Sequence, residues 1–209
     1  MKKGLIVAIL LASVGVWIAR QEDVFPTFMK IVEDVIRESP IDEYSLWEFI
    51  DTDQNFTNLG YAPLIDFPPS DPEAWQKQLY FEVFKYANNY GKKANWKNVN
   101  ILELASGKGA GLNLIANHKG WNFAINKAAG VERSYPGWQY ATKHYGSDRV
   151  SYHLTDARNL TFDENSFDIV YSVEANGVLF RKNFQEISRV LKPDGVFVFA
   201  TLKFSKWDC

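Results

Sequence analysis

Cysteine occurs once, at the final position, Cys209. That excludes an internal disulfide framework and a cysteine-rich zinc site. Three His and two Met leave little from which to build a transition-metal centre, and no metal is expected. Neither sign of charge is in excess: 23 Lys and Arg stand against 25 Asp and Glu, for a net charge of −2. This excludes a nucleic-acid binder held by bulk positive charge. Eight Pro and thirteen Gly are too few for a collagen-like or disordered chain. Internal repeats and low-complexity segments are missing as well. What is plentiful is apolar and aromatic surface, 46 % and 15 % of residues, the composition of a core-forming globular domain.

The longest apolar run lies at the start. Gly4 to Ala19 carries no charge and is flanked by Lys2, Lys3 and Arg20. A helix crossing a membrane needs ~17–25 such residues, so this run is marginally short. Three readings are open: a membrane anchor, a cleaved secretory signal, or a buried or interfacial helix. Residues 1–20 are therefore set apart. Residues 24–38 follow with Phe28, Ile31, Val32, Val35 and Ile36 at helical spacing, stopped by Ser39-Pro40. A second amphipathic piece spans about 44–50. Ser70-Asp71-Pro72-Glu73 predicts a helix start, and Gly91 its stop. Residues 21–97 read as a helical lid and extension.

From residue 98 the texture changes. Short apolar runs at 99–104, 128–132, 149–154, 167–173 and 195–201 alternate with helical stretches. That alternation predicts an α/β domain over 98–209. Its core is a mainly parallel, doubly wound Rossmann-like sheet with helices on both faces.

The chemistry-bearing segment is Glu103-Leu104-Ala105-Ser106-Gly107-Lys108-Gly109-Ala110-Gly111. A buried strand ends in an acid, and a run of small residues then opens a helix. Small residues let the backbone pass close to a ligand, and the helix's first N–H groups are free to face it. A dinucleotide fingerprint requires a third glycine where Leu112 stands. An NAD(P)-dependent oxidoreductase is therefore the minor alternative. Glu132 ends the second strand, and an acid there can accept from both hydroxyls of a ribose. Thr155-Asp156-Ala157 follows the third strand. Arg189-Val190-Leu191-Lys192-Pro193-Asp194-Gly195 forms a turn into the fifth.

These four pieces, in this order over residues 99–201, resemble the class I S-adenosylmethionine-dependent methyltransferases. Ala105 stands where that family has its first glycine. The segments Asn58-Leu59-Gly60-Tyr61 and Ser172-Val173-Glu174-Ala175 are similar to the small-molecule and lipid branch, which includes sterol, tocopherol and phthiotriol dimycocerosate enzymes. The resemblance implies S-adenosylmethionine as cofactor, held by Glu103, Ala105, Ser106, Gly107, Gly109, Glu132, Arg133, Asp156 and Ala157. It implies that Asp156 accepts from the adenine amine while the next backbone N–H reaches the ring. Glu174 and Tyr61 are the candidate catalytic positions. A histidine base cannot be carried over, because Asn176 and Gly177 occupy the region that holds one in several of those enzymes.

A small-molecule, lipid-like acceptor is the implied partner. Family members continue beyond the fifth strand into further antiparallel strands, which this chain is expected to lack. The second hypothesis is accordingly a truncated relative that binds donor or a partner without turnover, with the exposed sheet edge offering a surface for an oligomer. Lys2 and Lys3 outweigh Arg20, Glu22 and Asp23, which by charge places the bulk of the chain outside the cytosol. The donor is a cytosolic metabolite in the family. The expectation is membrane association at an endomembrane through residues 4–19, facing the cytosol, with a secreted or lumenal protein as the alternative.

Overall fold

The computed structural model describes residues 55–56, 58, 60–61, 64–175 and 181–200. The run at 4–19, the helical stretches at 24–38 and 44–50, and Asn176 and Gly177 lie outside the described residues. Asn55 opens the unit to which all the described residues belong.

Five strands form one sheet: β1 (Asn98–Leu104), β2 (Ala124–Glu132), β3 (Val150–Leu154), β4 (Phe167–Val173) and β5 (Leu191–Ala200). Every pairing is parallel, and the order is β3-β2-β1-β4-β5. The chain steps outward from β1 to β3 on one side, then restarts beside β1 with β4. Strand order therefore reverses between β1 and β4, where ligands bind in such sheets. The expected doubly wound parallel architecture is what the structure shows.

Successive side chains on a strand face opposite ways, and both faces here are apolar. Val99, Ile101, Ile169, Tyr171 and Val173 join one core with helices α1 (Ala74–Lys93), α2 (Ala110–Asn117) and α3 (Tyr135–Tyr145). Leu102, Leu104, Val131 and Val170 join a second core with Ile187 and Val190 of α4 (Arg181–Val190) and with Leu160. Helix α1 is part of the wall: Leu79, Phe81, Val83, Phe84 and Ala87 are buried, and Phe84 meets Tyr171 edge-on at 5.6 Å.

Helix α1 passes through Gly91 and ends at Lys93, two residues beyond the expected stop. Gly91 serves packing instead, since a Cβ there would lie 2.6 Å from both Phe123 and Trp96. The stop is Asn95, in the left-handed region at φ 56°. Trp96 N–H donates to the Gly91 carbonyl and Asn95 N–H to Lys92, so two orphan carbonyls are satisfied by a Schellman closure. Gln78, fully buried on α1, accepts from the N–H groups of Ile65 and Asp66 and donates to Asp66 and Glu82. It thereby fastens the segment before the helix to the helix itself.

The expected turn at Lys192–Gly195 is a bulge inside β5. Phe167 pairs with Leu191 but Ile169 pairs with Val196, so four residues leave the ladder. Proline, with no N–H to give, suits that place. Lys192 Nζ reaches Asp168 at 2.8 Å, and Asp168 also accepts from Asn100 N–H. Arg189 donates to the carbonyls of Leu160 and Phe162, holding the loop that leads into β4. These bonds tie the segment to the sheet and to the loop before β4.

Candidate functional site

The loop after β1 is held to β2 by the Ser106 N–H donating to the Val131 carbonyl, and it turns tightly where Gly109 N–H donates to Ser106. Ala105, Gly107 and Gly109 all have positive φ, at 56°, 52° and 82°. Gly109 is pinned from below: its carbonyl accepts from the Tyr152 hydroxyl at 2.7 Å, and a Cβ would meet Ala141 at 2.6 Å and the Tyr152 ring at 2.7 Å. Ala105 carries a side chain where glycine has no steric cost. Ala105→Gly is expected to raise stability by about 1 kcal/mol, the left-handed penalty less the extra unfolded-state freedom of glycine. Urea unfolding checks this, and a loss of stability would show that the Ala105 methyl packs usefully.

Glu132, 1 % exposed at the tip of β2, faces the same loop. One carboxylate oxygen accepts from Gly107 N–H at 2.9 Å, the other from Ser134 N–H at 2.8 Å. The acid thus shapes the loop from the end of the neighbouring strand. Arg133 beside it is exposed.

Glu103 lies one residue before the end of β1, 1 % exposed, on the α1 face. Tyr171 donates to one of its oxygens at 3.4 Å; the other makes no full hydrogen bond among the described residues. Burial pushes this carboxyl up to about 8, and the charge of Glu132 acts the same way, against the tyrosine hydroxyls of Tyr80 and Tyr171. Ser106 Oγ is likewise buried without a partner among the described residues.

Asp156 and Ala157 follow β3, as expected. The Asp156 carboxylate is forked by its near neighbour: Arg158 Nε donates at 2.9 Å and NH2 at 2.6 Å, joined by the Arg158 backbone N–H. The guanidinium holds this carboxyl below the ordinary range. Glu174 stands just past β4 in the left-handed region, φ 54°, its N–H donating to Ala200. Two non-glycine residues with positive φ, Ala105 and Glu174, therefore end the two strands that flank the reversal of order. Tyr61 is 40 % exposed, and its N–H donates to the Trp75 carbonyl at the start of α1. Among the described residues no hydrogen bond or ring contact carries it to the strand ends.

The structure thus collects Glu103, the 105–109 loop, Glu132, Asp156 and Glu174 at the C-terminal ends of β1 to β4. Sequence reasoning missed Tyr80, Tyr152, Tyr171 and Arg158. Tyrosines inside a helix and two strands read as core, and only the fold reveals that three of them surround the acid and the loop.

A sheet whose order reverses beside a small-residue loop, with an acid closing the next strand over that loop, is the arrangement expected from the resemblance to class I methyltransferases. Residues 102–199 match the methyltransferase domain family. The cofactor that goes with it is S-adenosylmethionine, and the residues fit it: positive-φ glycines, the buried Glu132 carboxylate on the loop, and one oxygen each on Glu103 and Ser106 buried without a full hydrogen bond among the described residues.

The chain is similar to a phthiotriol/phenolphthiotriol dimycocerosates methyltransferase of Mycobacterium tuberculosis, 28 % identical over 157 residues, covering 71 % of this chain and 53 % of that one. It is also similar to a sterol 24-C-methyltransferase of Yarrowia lipolytica, 36 % identical over 101 residues, 46 % of this chain and 26 % of that one. The chain spans about half the length of the mycobacterial relatives it matches. Among solved structures, a protein assigned as a sarcosine dimethylglycine methyltransferase from Galdieria sulphuraria matches with TM-score 0.51 at 17 % identity, covering 60 % of this chain and 46 % of that one. That likeness concerns the fold alone.

Proposed function

We propose that this chain binds S-adenosylmethionine across the C-terminal ends of β1 to β3 and transfers its methyl group to a small, lipid-like acceptor. The observation that carries the reading is the buried Glu132 carboxylate at the tip of β2, which accepts from Gly107 N–H and so holds the positive-φ 105–109 loop against the ends of β1 and β2. In this reading Glu132 accepts from the ribose hydroxyls. Asp156 accepts from the adenine amine once Arg158 swings aside, and the Ala157 N–H meets the ring. Gly107 and Gly109 leave room for the methionine portion, with Glu103 and Ser106 behind them and Arg133 at the rim. The activated sulfonium supplies the leaving group, so the protein's share is orientation and exclusion of water. Glu174 and Tyr61 are the candidates for contact with the acceptor.

The acceptor class is supported by the relatives, one acting on phthiotriol and phenolphthiotriol dimycocerosates and one on sterols. Among the described residues no helix is long and apolar enough to cross a membrane, and the 4–19 run lies outside them. That run is proposed as a tether at a membrane, facing the cytosol, and deleting residues 1–20 should move the protein to the soluble fraction. A wild-type chain already soluble would sink the tether. β5 pairs only with β4 among the described residues, and its outer edge is the proposed site of self-association.

Titration with S-adenosylhomocysteine, then incubation with labelled donor and a lipid extract, tests the function. Heat on titration and label in an organic-phase product are expected. Folded protein that gives no heat overturns the donor site, and binding without any labelled product overturns methyl transfer.

A further inference from the structure

Glu103 is buried in a shell of hydroxyls and acids. From α1, Tyr80 faces it; from β4, Tyr171 donates to it; on β3, Tyr152 lies within reach of its charge; from β2 comes the charge of Glu132; and from α2 the Leu112 backbone N–H. Glu174, beyond β4, acts on Tyr80 in turn. No ion pair reaches Glu103 among the described residues. Tyr80 can stand there because position 111 is glycine: a Cβ on Gly111 would coincide with the Tyr80 ring and hydroxyl. Helix α1 therefore inserts a hydroxyl under the first turn of α2, against the acid that precedes the loop. Both tyrosines are held neutral by burial, and more so when Glu103 is ionised, so each keeps a hydroxyl proton to donate to the carboxylate.

We propose that Tyr80, with Tyr171, is a positioning residue of the donor site, and that the two hydroxyls hold a Glu103 carboxyl that gives up its proton when a cationic donor binds. The inference rests on the donor reading above and deepens it. A carboxyl buried with no cation is favoured in its neutral form, and an arriving sulfonium or ammonium reverses that preference. The O–H bond of Glu103 breaks, the electron pair stays on the carboxylate, and the proton leaves to solvent. Hydroxyl donation favours the anion, so removing either hydroxyl makes the proton harder to release.

The test is calorimetric titration of the 209-residue chain with S-adenosylmethionine and with S-adenosylhomocysteine, in buffers of different ionisation heat, from pH 6 to 9. At pH 7 wild type should release close to ~1 proton on binding, and affinity should rise with pH and level off above about 8. Tyr80→Phe should keep its fold, bind roughly tenfold more weakly at pH 7, and reach its plateau at a higher pH. Tyr171→Phe should shift the same way. Glu103→Gln should release no proton and show no such pH dependence.

The free protein offers a second readout. A carboxyl whose folded value is raised contributes stability below its unfolded value and loses it as pH rises through the folded one. Wild type should therefore lose thermal stability between about pH 5 and 8, and Glu103→Gln should melt higher than wild type at pH 8. Donor binding without proton release, or a Tyr80→Phe plateau unmoved in pH, overturns this inference and leaves the donor site standing. No binding by folded wild type overturns the donor reading and this inference with it.

Discussion

Glu132→Ala should abolish measurable donor binding. The carboxylate takes the N–H groups of Gly107 and Ser134, and in the proposed complex it also takes two ribose hydroxyls. Hydrogen bonds to a charged acceptor contribute ~1.5–3 kcal/mol each, so losing two to the ligand weakens binding at least ~100-fold. The half-buried N–H groups of Gly107 and Ser134 also lose this acceptor, at a cost of ~2–4 kcal/mol in stability. In a chain of this size that lowers Tm by roughly 10 °C. Glu132→Gln separates the two effects: it keeps the volume but sets an amide N–H against one backbone N–H, and it should melt between wild type and alanine. Titration with S-adenosylhomocysteine and a thermal melt read both quantities. Alanine variant binding within threefold of wild type would remove Glu132 from the donor site.

Gly109→Ala should cost about 3 kcal/mol through two additive causes, left-handed strain and overpacking. The residue sits at φ 82°, and its missing side chain is where Ala141 and Tyr152 close in at 2.6 and 2.7 Å. Neither neighbour can retreat cheaply. Ala141 is on a helix packed against the sheet, and Tyr152 is anchored by its bond to the Gly109 carbonyl. Donor binding should fall with stability, because the loop moves away from Glu132. Denaturant unfolding measures the first effect and calorimetry the second. A variant within 0.5 kcal/mol of wild type would mean that the loop is free to shift over Tyr152.

What the sequence discloses of this site is what the chain builds locally. The acid before the loop, the small residues in it, Glu132 and Asp156 each end or follow a strand, and strand ends are visible as apolar runs giving way to polar ones. The parallel sheet is legible for the same reason. Gly91 shows the limit: glycine as a helix stop and glycine as a gap for a neighbouring ring look identical in one dimension, and only Phe123 and Trp96 decide. The start of β2 is hidden too, because Asn126 and Lys127 are exposed on a strand that begins at Ala124 rather than at Ala128. Tyr80 and Tyr171 converge on Glu103 across a helix and a strand far apart in the chain, and no spacing rule anticipates that. The Asp156–Arg158 fork is local, but the two residues are as readily a surface ion pair as a site feature.

The position of β1 at the centre of the sheet governs how the protein emerges from the ribosome. Synthesis delivers β1, β2 and β3 first, so half a sheet forms with the β4-facing edge of β1 bare. Asn100 waits for Asp168 and Glu103 for Tyr171, each 68 residues downstream. Until those residues clear the exit tunnel, a buried carboxyl lacks one of its hydroxyls and an apolar strand has an open side, the kind of exposure that draws chaperones or mispairing. Completion of the proposed donor site therefore waits for the arrival of β4.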